Sequence, residues 1–363
     1  MIIKLPEQCL VLLIGSSGSG KSTFADQHFK PTEVVSSDVC RGLVSDDEND
    51  QKSTDLAFKL LHCLVGLRLE NRRLTVVDAT NLRSEDRKGL RLLASEHNTL
   101  CAAILFDTPR EVCKQRNAER PDRNFSSRVV DRHSSLFRQT CRSIKKERFH
   151  RVYRVSPEDS PTIERTKLWC DKRELTGPFD IIGDIHGCAL ELETLLDRLG
   201  YTDFHHPDGR TLIFLGDITD RGPRNLDCLN MVRQALSLGA LCVCGNHDIK
   251  LLKYLNKRKV KIGHGLAATV AEIDPLPEEE KRAIAGFLDS LISHYVLDGG
   301  NLVVAHAGLK EKYHGRASGR VRSFCMYGDT TGETDEFGFP IRLNWAADYR
   351  GEAHVIYLSL IHI

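Results

Sequence analysis

An α/β protein of two consecutive domains, each built on parallel strands, is what this chain of 363 residues predicts. Three observations carry the prediction. From residue 9 onward, short β-branched runs alternate with amphipathic stretches. A segment rich in proline and mixed charge, residues 156–178, breaks that rhythm. A second alternating set follows, and each of its strands runs straight into polar residues. Strand–helix alternation places parallel strands in one sheet with helices on its faces.

In chain order the first set of strands is CLVLLI (9–14), VVSS (34–37), LTVVDAT (74–80), CAAILF (101–106) and RVYRV (151–155). Between them lie segments such as TDLAFKLLHCLVGLRLE (54–70), whose leucines recur at helical spacing. SPEDSPTIERTKLWCDKRELTGP reads as a linker between the domains. The second set is FDIIGDI, TLIFLGDI, ALCVCGNH and NLVVAHAG. The boundaries that follow are 1–155, a linker over 156–178, a second domain over 179–357, and a tail over 358–363.

Composition is that of an ordinary soluble globular protein, 41% hydrophobic and 28% charged. A net charge of +1 says nothing about partners, so local patches must be read instead. The twelve cysteines are scattered. Cys242-Val-Cys244 is not a zinc pair, and buried thiols in a reducing compartment are the better reading. MIIKLPEQ lacks the flank and apolar core of a signal peptide, and no run approaches membrane-spanning length. The expectation is a cytoplasmic protein with no membrane contact.

Gly15-Ser16-Ser17-Gly18-Ser19-Gly20-Lys21-Ser22 fits GxxxxGK[ST] between an apolar strand and a helix, with Thr23 next. Glycines let backbone N–H groups curl around phosphate oxygens, and the helix N-terminus adds partial positive charge. Lys21 would reach the β- and γ-phosphates of ATP or another NTP, and Ser22 would ligate Mg²⁺. Asp38 and Arg41 follow the second strand, whose end opens on the same crevice. A carboxylate there accepts the proton of an attacking hydroxyl, and an arginine three residues on holds an acceptor phosphate; an N-capping aspartate and a solvated arginine are the plainer alternative. Asp78 and Asn81 suit support of Mg²⁺ or of the helix that follows. Arg116, Arg120 and Arg123 sit beside a proline, either as a mobile lid or as a solvated basic face. From Arg110 to Arg154 there are 14 Lys/Arg against 5 Asp/Glu, which suits a phosphate-rich substrate.

Together these features resemble the polynucleotide 5′-kinase family over about residues 8–155. The resemblance implies Asp38 as general base and Arg41 on the acceptor's phosphate. Lys21, with Arg116 or Arg123, would act on the transferred phosphoryl group. The acidic run Asp46–Asp50 also resembles bacterial members, or is a solvated loop.

In the second half, Gly183-Asp184-Ile-His186-Gly187, Gly216-Asp217-Ile-Thr-Asp220-Arg221-Gly222 and Gly245-Asn246-His247-Asp248 each close a β-run, and His306 closes a fourth. Oxygen ligands and imidazoles delivered from neighbouring strand ends make a two-metal site in which one carboxylate bridges. The set resembles calcineurin-like metallophosphoesterases, nearer the phosphoprotein-phosphatase branch. That resemblance puts Asp184 and His186 on the first metal, Asp217 between the two, and Asn246 and His306 on the second. It makes His247 the proton donor to the leaving oxygen, oriented by Asp248, with Arg221 on the phosphate. Mn²⁺ suits mixed oxygen and nitrogen ligands better than Mg²⁺, with Ni²⁺ or Fe as its nearest rivals.

A 5′-kinase followed by a metallophosphoesterase resembles the bacterial polynucleotide kinase–phosphatase family of RNA end repair. The implied fold is an N-terminal P-loop parallel-sheet kinase domain plus a C-terminal α/β metallophosphoesterase sandwich. The implied activities are an NTP-dependent 5′-OH kinase and a 3′-phosphatase or 2′,3′-cyclic phosphodiesterase acting on RNA or DNA ends. Implied partners are an RNA 3′-terminal 2′-O-methyltransferase and a ligase activity, with the chain as a homodimer. No K-x-D-G or K-x-N-G motif of the family's ligase-like third module occurs, so that module is expected to be absent. Two rivals stay open: a small-molecule kinase joined to a phosphoprotein or dinucleotide phosphatase, and an NTP-binding scaffold with a decayed phosphatase.

The branch also brings a late histidine to the second metal from a V-Y-G-H-T-P-like segment. Val355-Ile-Tyr357 meets that pattern, and Leu358-Ser-Leu-Ile-His-Ile363 then lacks its glycine and histidine. His362 could substitute, the site could work with fewer ligands, or the chain is interrupted inside the motif. The third reading is favoured because the resemblance stops abruptly within a strand. It predicts a second domain truncated at its C-terminal end and impaired phosphatase turnover.

Overall fold

The computed structural model describes residues 1–119, 126–336 and 340–358. Arg120, Arg123 and His362 lie outside the described residues. Two compact units divide the chain, Met1–Leu168 with Arg316–Ser318, and Trp169–Gly315 with Gly319–Ile363.

The first unit runs β1 (Ile2–Pro6), β2 (Cys9–Ile14), α1 (Lys21–His28), β3 (Val34–Ser36), α2 (Ser37–Ser45), α3 (Thr54–Glu70), β4 (Thr75–Asp78) and α4 (Ser84–Glu96). It continues through β5 (Leu100–Phe106), α5 (Arg110–Ala118), α6 (Ser127–Ser143), β6 (Arg151–Val155) and β7 (Thr162–Thr166). A five-stranded parallel sheet in the order β3-β4-β2-β5-β6 is its centre. All six residues of β2 are buried, as a strand covered on both faces requires. Leu10, Leu12 and Ile14 pack with Leu61, Val65 and Leu69 of α3. Val11 and Leu13 point the other way, toward Phe24 and Ala25 of α1. Each such side chain contributes about 1.5–3 kcal/mol of burial.

Two features depart from the expected layout. Ile2–Pro6 forms a strand ahead of the first one predicted, burying Ile3 and Leu5. Its parallel partner β7 lies inside the segment read as a linker. TIERT carries no apolar alternation, because main-chain hydrogen bonds to β1 hold it there. The later part of that segment belongs to the second unit, where Lys172 N–H donates to Val296 O at 2.9 Å. The acidic run proves to be turn chemistry: Asp46 caps α2 at φ 57°, and Asp50 accepts from Lys52 N–H at 3.0 Å and Ser53 Oγ at 2.6 Å.

The second unit runs β8 (Phe179–Ile182), α7 (Ala189–Leu199), β9 (Thr211–Phe214), α8 (Asn225–Ser237), β10 (Leu241–Cys242), α9 (Asn246–Leu255), α10 (His264–Ile273) and α11 (Glu278–Ser290). Then come β11 (His294–Leu297), β12 (Leu302–Ala305), α12 (Gly319–Tyr327), β13 (Asp329–Thr334), β14 (Pro340–Leu343) and β15 (His354–Ile356). Strands β10-β9-β8 are parallel; in β11-β12-β15 the first pair is antiparallel and the second parallel. Ile213, Leu215 and Val243 meet Tyr295, Leu297 and Val304 between the two sheets, so this unit is a sandwich. Outside the first sheet, Leu212 and Phe214 pack with Leu192, Leu229 and Leu288 of the surrounding helices. Mixed α/β architecture therefore holds in both units, as the sequence predicts. Among the described residues no helix is long and apolar enough to cross a membrane.

Candidate active sites

In the second unit the strand ends deliver the predicted donors to one place. Asp184 and His186 follow β8, Asp217 follows β9, Asn246 opens α9 and His306 follows β12. His186 Nε2 lies 3.6 Å from Asp184 Oδ2 and 3.8 Å from Asp217 Oδ2. His306 Nε2 lies 3.5 Å from Asp217 Oδ2 and 3.2 Å from Asn246 Oδ1. Ligand atoms of Asp184, Asp217 and His306 fall within 4.8 Å of one another, as do those of His186, Asp217 and His247. Asp217 is common to both groups. His186 Nδ1 faces Thr219 O at 2.9 Å and His306 Nδ1 faces Leu215 O at 2.8 Å. A carbonyl only accepts, so each Nδ1 carries the proton and each Nε2 lone pair is free for an ion.

The electrostatics fit divalent ions. Burial, and then the charge of Asp248, push the Asp217 carboxyl up to about 7. A dication beside it would relieve that cost. Burial also lowers the pKa of His186, which suits a neutral ligand. Close approach depends on glycine here. A Cβ on Gly245 would overlap Asp217 Oδ1, and one on Gly216, at φ +88°, would overlap the backbone of Gly245. His186, Asp217, Asp220 and Arg221 hold φ of 45°, 49°, 77° and 69°. Such left-handed backbone costs about 1–2 kcal/mol per residue and clusters at functional sites.

One expected pairing is corrected. The carboxylate that meets His247 is Asp220, with Nδ1 2.6 Å from Oδ2, and not Asp248. Asp248, fully buried, instead accepts from the backbone N–H groups of Asp217 at 3.0 Å, Ile218 at 3.0 Å and Gly245 at 2.7 Å. Burial raises the Asp220 carboxyl, but hydrogen bonds from His247 and Thr269 outweigh it and leave the net pKa low. Asp220 stays ionised and holds the imidazole. Arg221 is exposed beside this loop.

In the first unit the glycine-rich loop lies between two clefts. Lys21 Nζ donates to Gly15 O at 2.9 Å and Ser16 O at 2.8 Å. One cleft, about 340 Å³, is lined by Ser17, Asp38, Arg41, Asp78, Arg83 and Arg132 among others. The other, about 630 Å³, is lined by Thr23, Phe24, His28, Phe106, Arg116 and Asp159 among others. Both include Gly18, Ser19 and Gly20. Burial raises the Asp78 carboxyl, while Lys21 and a hydrogen bond from Ser22 act to lower it. Asn81 Nδ2 donates to Leu13 O at 2.8 Å, so it braces the sheet. Arg41 lines the first of these clefts beside Asp38. It is 4% exposed and donates to Asp38 Oδ1 at 2.8 Å and Glu48 O at 2.7 Å. Its guanidinium orients Asp38, while the exposed Arg83 and Arg132 offer charge to the same cleft. His133, also unforeseen, places Nδ1 3.3 Å from Ser17 Oγ.

Residues 177–355 match the model of the calcineurin-like phosphoesterases, and residues 10–144 match that of an AAA domain. Asymmetrical bis(5'-nucleosyl)-tetraphosphatase PrpE of Halalkalibacterium halodurans is 43% identical over 188 residues, covering 49% of this chain and 76% of its own length. The same-named protein of Bacillus subtilis is 44% identical over 188 residues, covering 49% and 77%. The chain belongs to the calcineurin-like phosphoesterase family. A solved metallophosphoesterase from Sphaerobacter thermophilus overlaps 36% of this chain and 46% of its own at 27% identity and a TM-score of 0.25, too low to bear on the fold.

This phosphoesterase thus carries a P-loop, kinase-like domain ahead of its metal-binding one. Membership of the family implies divalent metal ions, and the donor set described above fits them. The phosphatase pattern would set its late histidine at position 359, which is a serine in this chain and lies outside the described residues. Just before it, β15 pairs with β12, and Leu358 N–H donates to His306 O at 2.9 Å. The Asp220–His247 pair was hidden in the sequence because 27 positions separate its members. Its only signal was the second aspartate of GDITDRG.

Proposed function

We propose that the chain processes polynucleotide ends, phosphorylating a 5′-hydroxyl in its first unit and removing a 3′-terminal phosphate in its second. The observation that carries this reading is the pair of clefts flanking Gly18–Gly20. A nucleoside triphosphate fits the side of Phe24, Phe106 and Arg116. Asp38 then lies on the acceptor side, where Arg83 and Arg132 would meet acceptor phosphates. Asp38 takes the proton of the attacking hydroxyl, held in position by Arg41. Lys21 exchanges its backbone carbonyl partners for phosphate oxygens.

In the second unit, Asp184, His186, Asp217, Asn246 and His306 would hold two divalent ions. When bound, these supply a nucleophile near neutral pH and offset phosphoryl charge. His247, oriented by Asp220, donates a proton to the leaving oxygen, and Arg221 meets the phosphate from the rim. A second reading, hydrolysis of a dinucleoside tetraphosphate by the second unit, is supported by the relatives at 43–44% identity, which are named asymmetrical bis(5'-nucleosyl)-tetraphosphatases.

The test is one panel. Labelled ATP with Mg²⁺ is offered a 5′-OH RNA oligonucleotide, a nucleoside and a phosphopeptide. In parallel, a 3′-phosphorylated oligonucleotide and a dinucleoside tetraphosphate are offered with Mn²⁺. Transfer to the oligonucleotide with release of its 3′-phosphate is expected. Transfer only to the nucleoside, with hydrolysis only of the tetraphosphate, would replace this reading with the second.

A further inference from the structure

Between Lys250 and Lys261 the sequence places six cations and no acid: Lys250, Lys253, Lys257, Arg258, Lys259 and Lys261. Among the described residues none of the six forms an ion pair. Lys253, Lys257, Arg258, Lys259 and Lys261 are exposed. In a chain of net charge +1, so local an excess stands out. A cationic last turn complements the helix dipole, which accounts for Lys253 but not for the four charges beyond the helix end.

Placement connects these charges to the phosphoesterase centre. Asn246 and His247 open α9, Lys250 lies one turn on, and its charge is felt at Asp220. Lys250 and Lys253, three apart, share a helix face. From His247 to the end of α9 is about 12 Å at ~1.5 Å per residue. Beyond it a cleft of about 490 Å³ is lined by Lys257, Arg258, Lys259, Lys281 and Arg282. Two acids of its wall are engaged: Glu278 Oε1 pairs with Lys281 Nζ at 3.2 Å, and Asp274 Oδ1 accepts from Tyr254 OH at 2.8 Å.

We propose that this stripe and cleft bind the phosphodiester backbone of a single-stranded nucleic acid whose 3′ end lies at the metal site. The choice of strand rests on the end-processing reading above. Charge-assisted contacts of lysine and arginine to successive phosphates recognise backbone without reading sequence. A substrate with one phosphate cannot reach the cleft; a strand of several nucleotides can.

The experiment compares the full chain with a triple variant, Lys257→Ala, Arg258→Ala and Lys259→Ala, by fluorescence anisotropy over a salt series. Probes are 3′-OH oligonucleotides of two and twelve nucleotides; p-nitrophenyl phosphate hydrolysis reports an intact active centre. The twelve-mer should lose on the order of 10-fold in affinity in the variant, and its log K against log salt slope should flatten by about 2, at ~0.7 per phosphate contact. Dinucleotide binding and p-nitrophenyl phosphate turnover should be unchanged. An unaltered twelve-mer slope, or an equal loss on both probes, overturns the proposal. So does binding to phosphatidylserine vesicles that the variant abolishes while twelve-mer binding persists. Length-dependent binding lost in the variant, with no release of phosphate from a 3′-phosphorylated twelve-mer, upholds the surface and removes the end-processing reading alone.

Discussion

His247 pairs with Asp220 and not with its neighbour Asp248 because adjacent residues on a helix do not face each other. Asp248, in the first turn of α9, turns back to accept from Gly245 N–H. The two aspartates therefore fail differently when changed. Asp220→Asn should lower kcat on p-nitrophenyl phosphate about 100-fold, the low end of general acid–base contributions, with bound metal unchanged. Asp248→Asn should lower stability by about 1.5–3 kcal/mol, since three backbone donors lose a charged acceptor. Turnover, metal analysis and thermal melts on both variants check this; equal loss of kcat with equal stability would return Asp248 to the role of orienter.

At the scale of elements, the site depends on how closely the β9 and β10 ends approach. Gly245 has φ −91°, where alanine meets no backbone strain, so Gly245→Ala isolates the overlap with Asp217. It should cost about 1–3 kcal/mol and reduce bound metal per chain; full metal content at unchanged stability would show that the loops can separate freely. The start of β8 is held differently. Asp180 Oδ1 accepts from Arg210 Nη2 at 2.6 Å, and that guanidinium holds its carboxyl below the ordinary value of 3.8. A lowered carboxyl pKa stabilises the fold above its unfolded value and loses that contribution as pH falls through the folded one. Asp180→Asn should cost about 1 kcal/mol at neutral pH, since solvent screens the pair. The gap in Tm between wild type and variant should close below about pH 3.8. A gap independent of pH would assign the loss to packing.

Over the whole molecule, the two candidate centres use residues of separate compact units. Lys21→Ala and Asp38→Asn should each abolish transfer to a 5′-hydroxyl while phosphoester hydrolysis persists. A folded Asp38→Asn protein that lost both activities would rule out independent centres.

By itself the sequence determined what short-range chemistry encodes. β-Branched runs ending in Gly-Asp or Gly-Asn marked β8, β9 and β10, because a strand that turns sharply beside a ligand needs glycine there. The helix over 54–70 and the loop from Gly15 to Ser22 were legible for similar local reasons. Only the tertiary structure decided the rest. β1 and β7 pair across more than 150 residues by main-chain bonds that leave no side-chain pattern. Arg41 turns inward onto Asp38 because the chain returns at Glu48 to receive it. Asp220 takes the imidazole because the backbone of α9 turns Asp248 away, a choice that depends on direction in space and not on spacing along the chain.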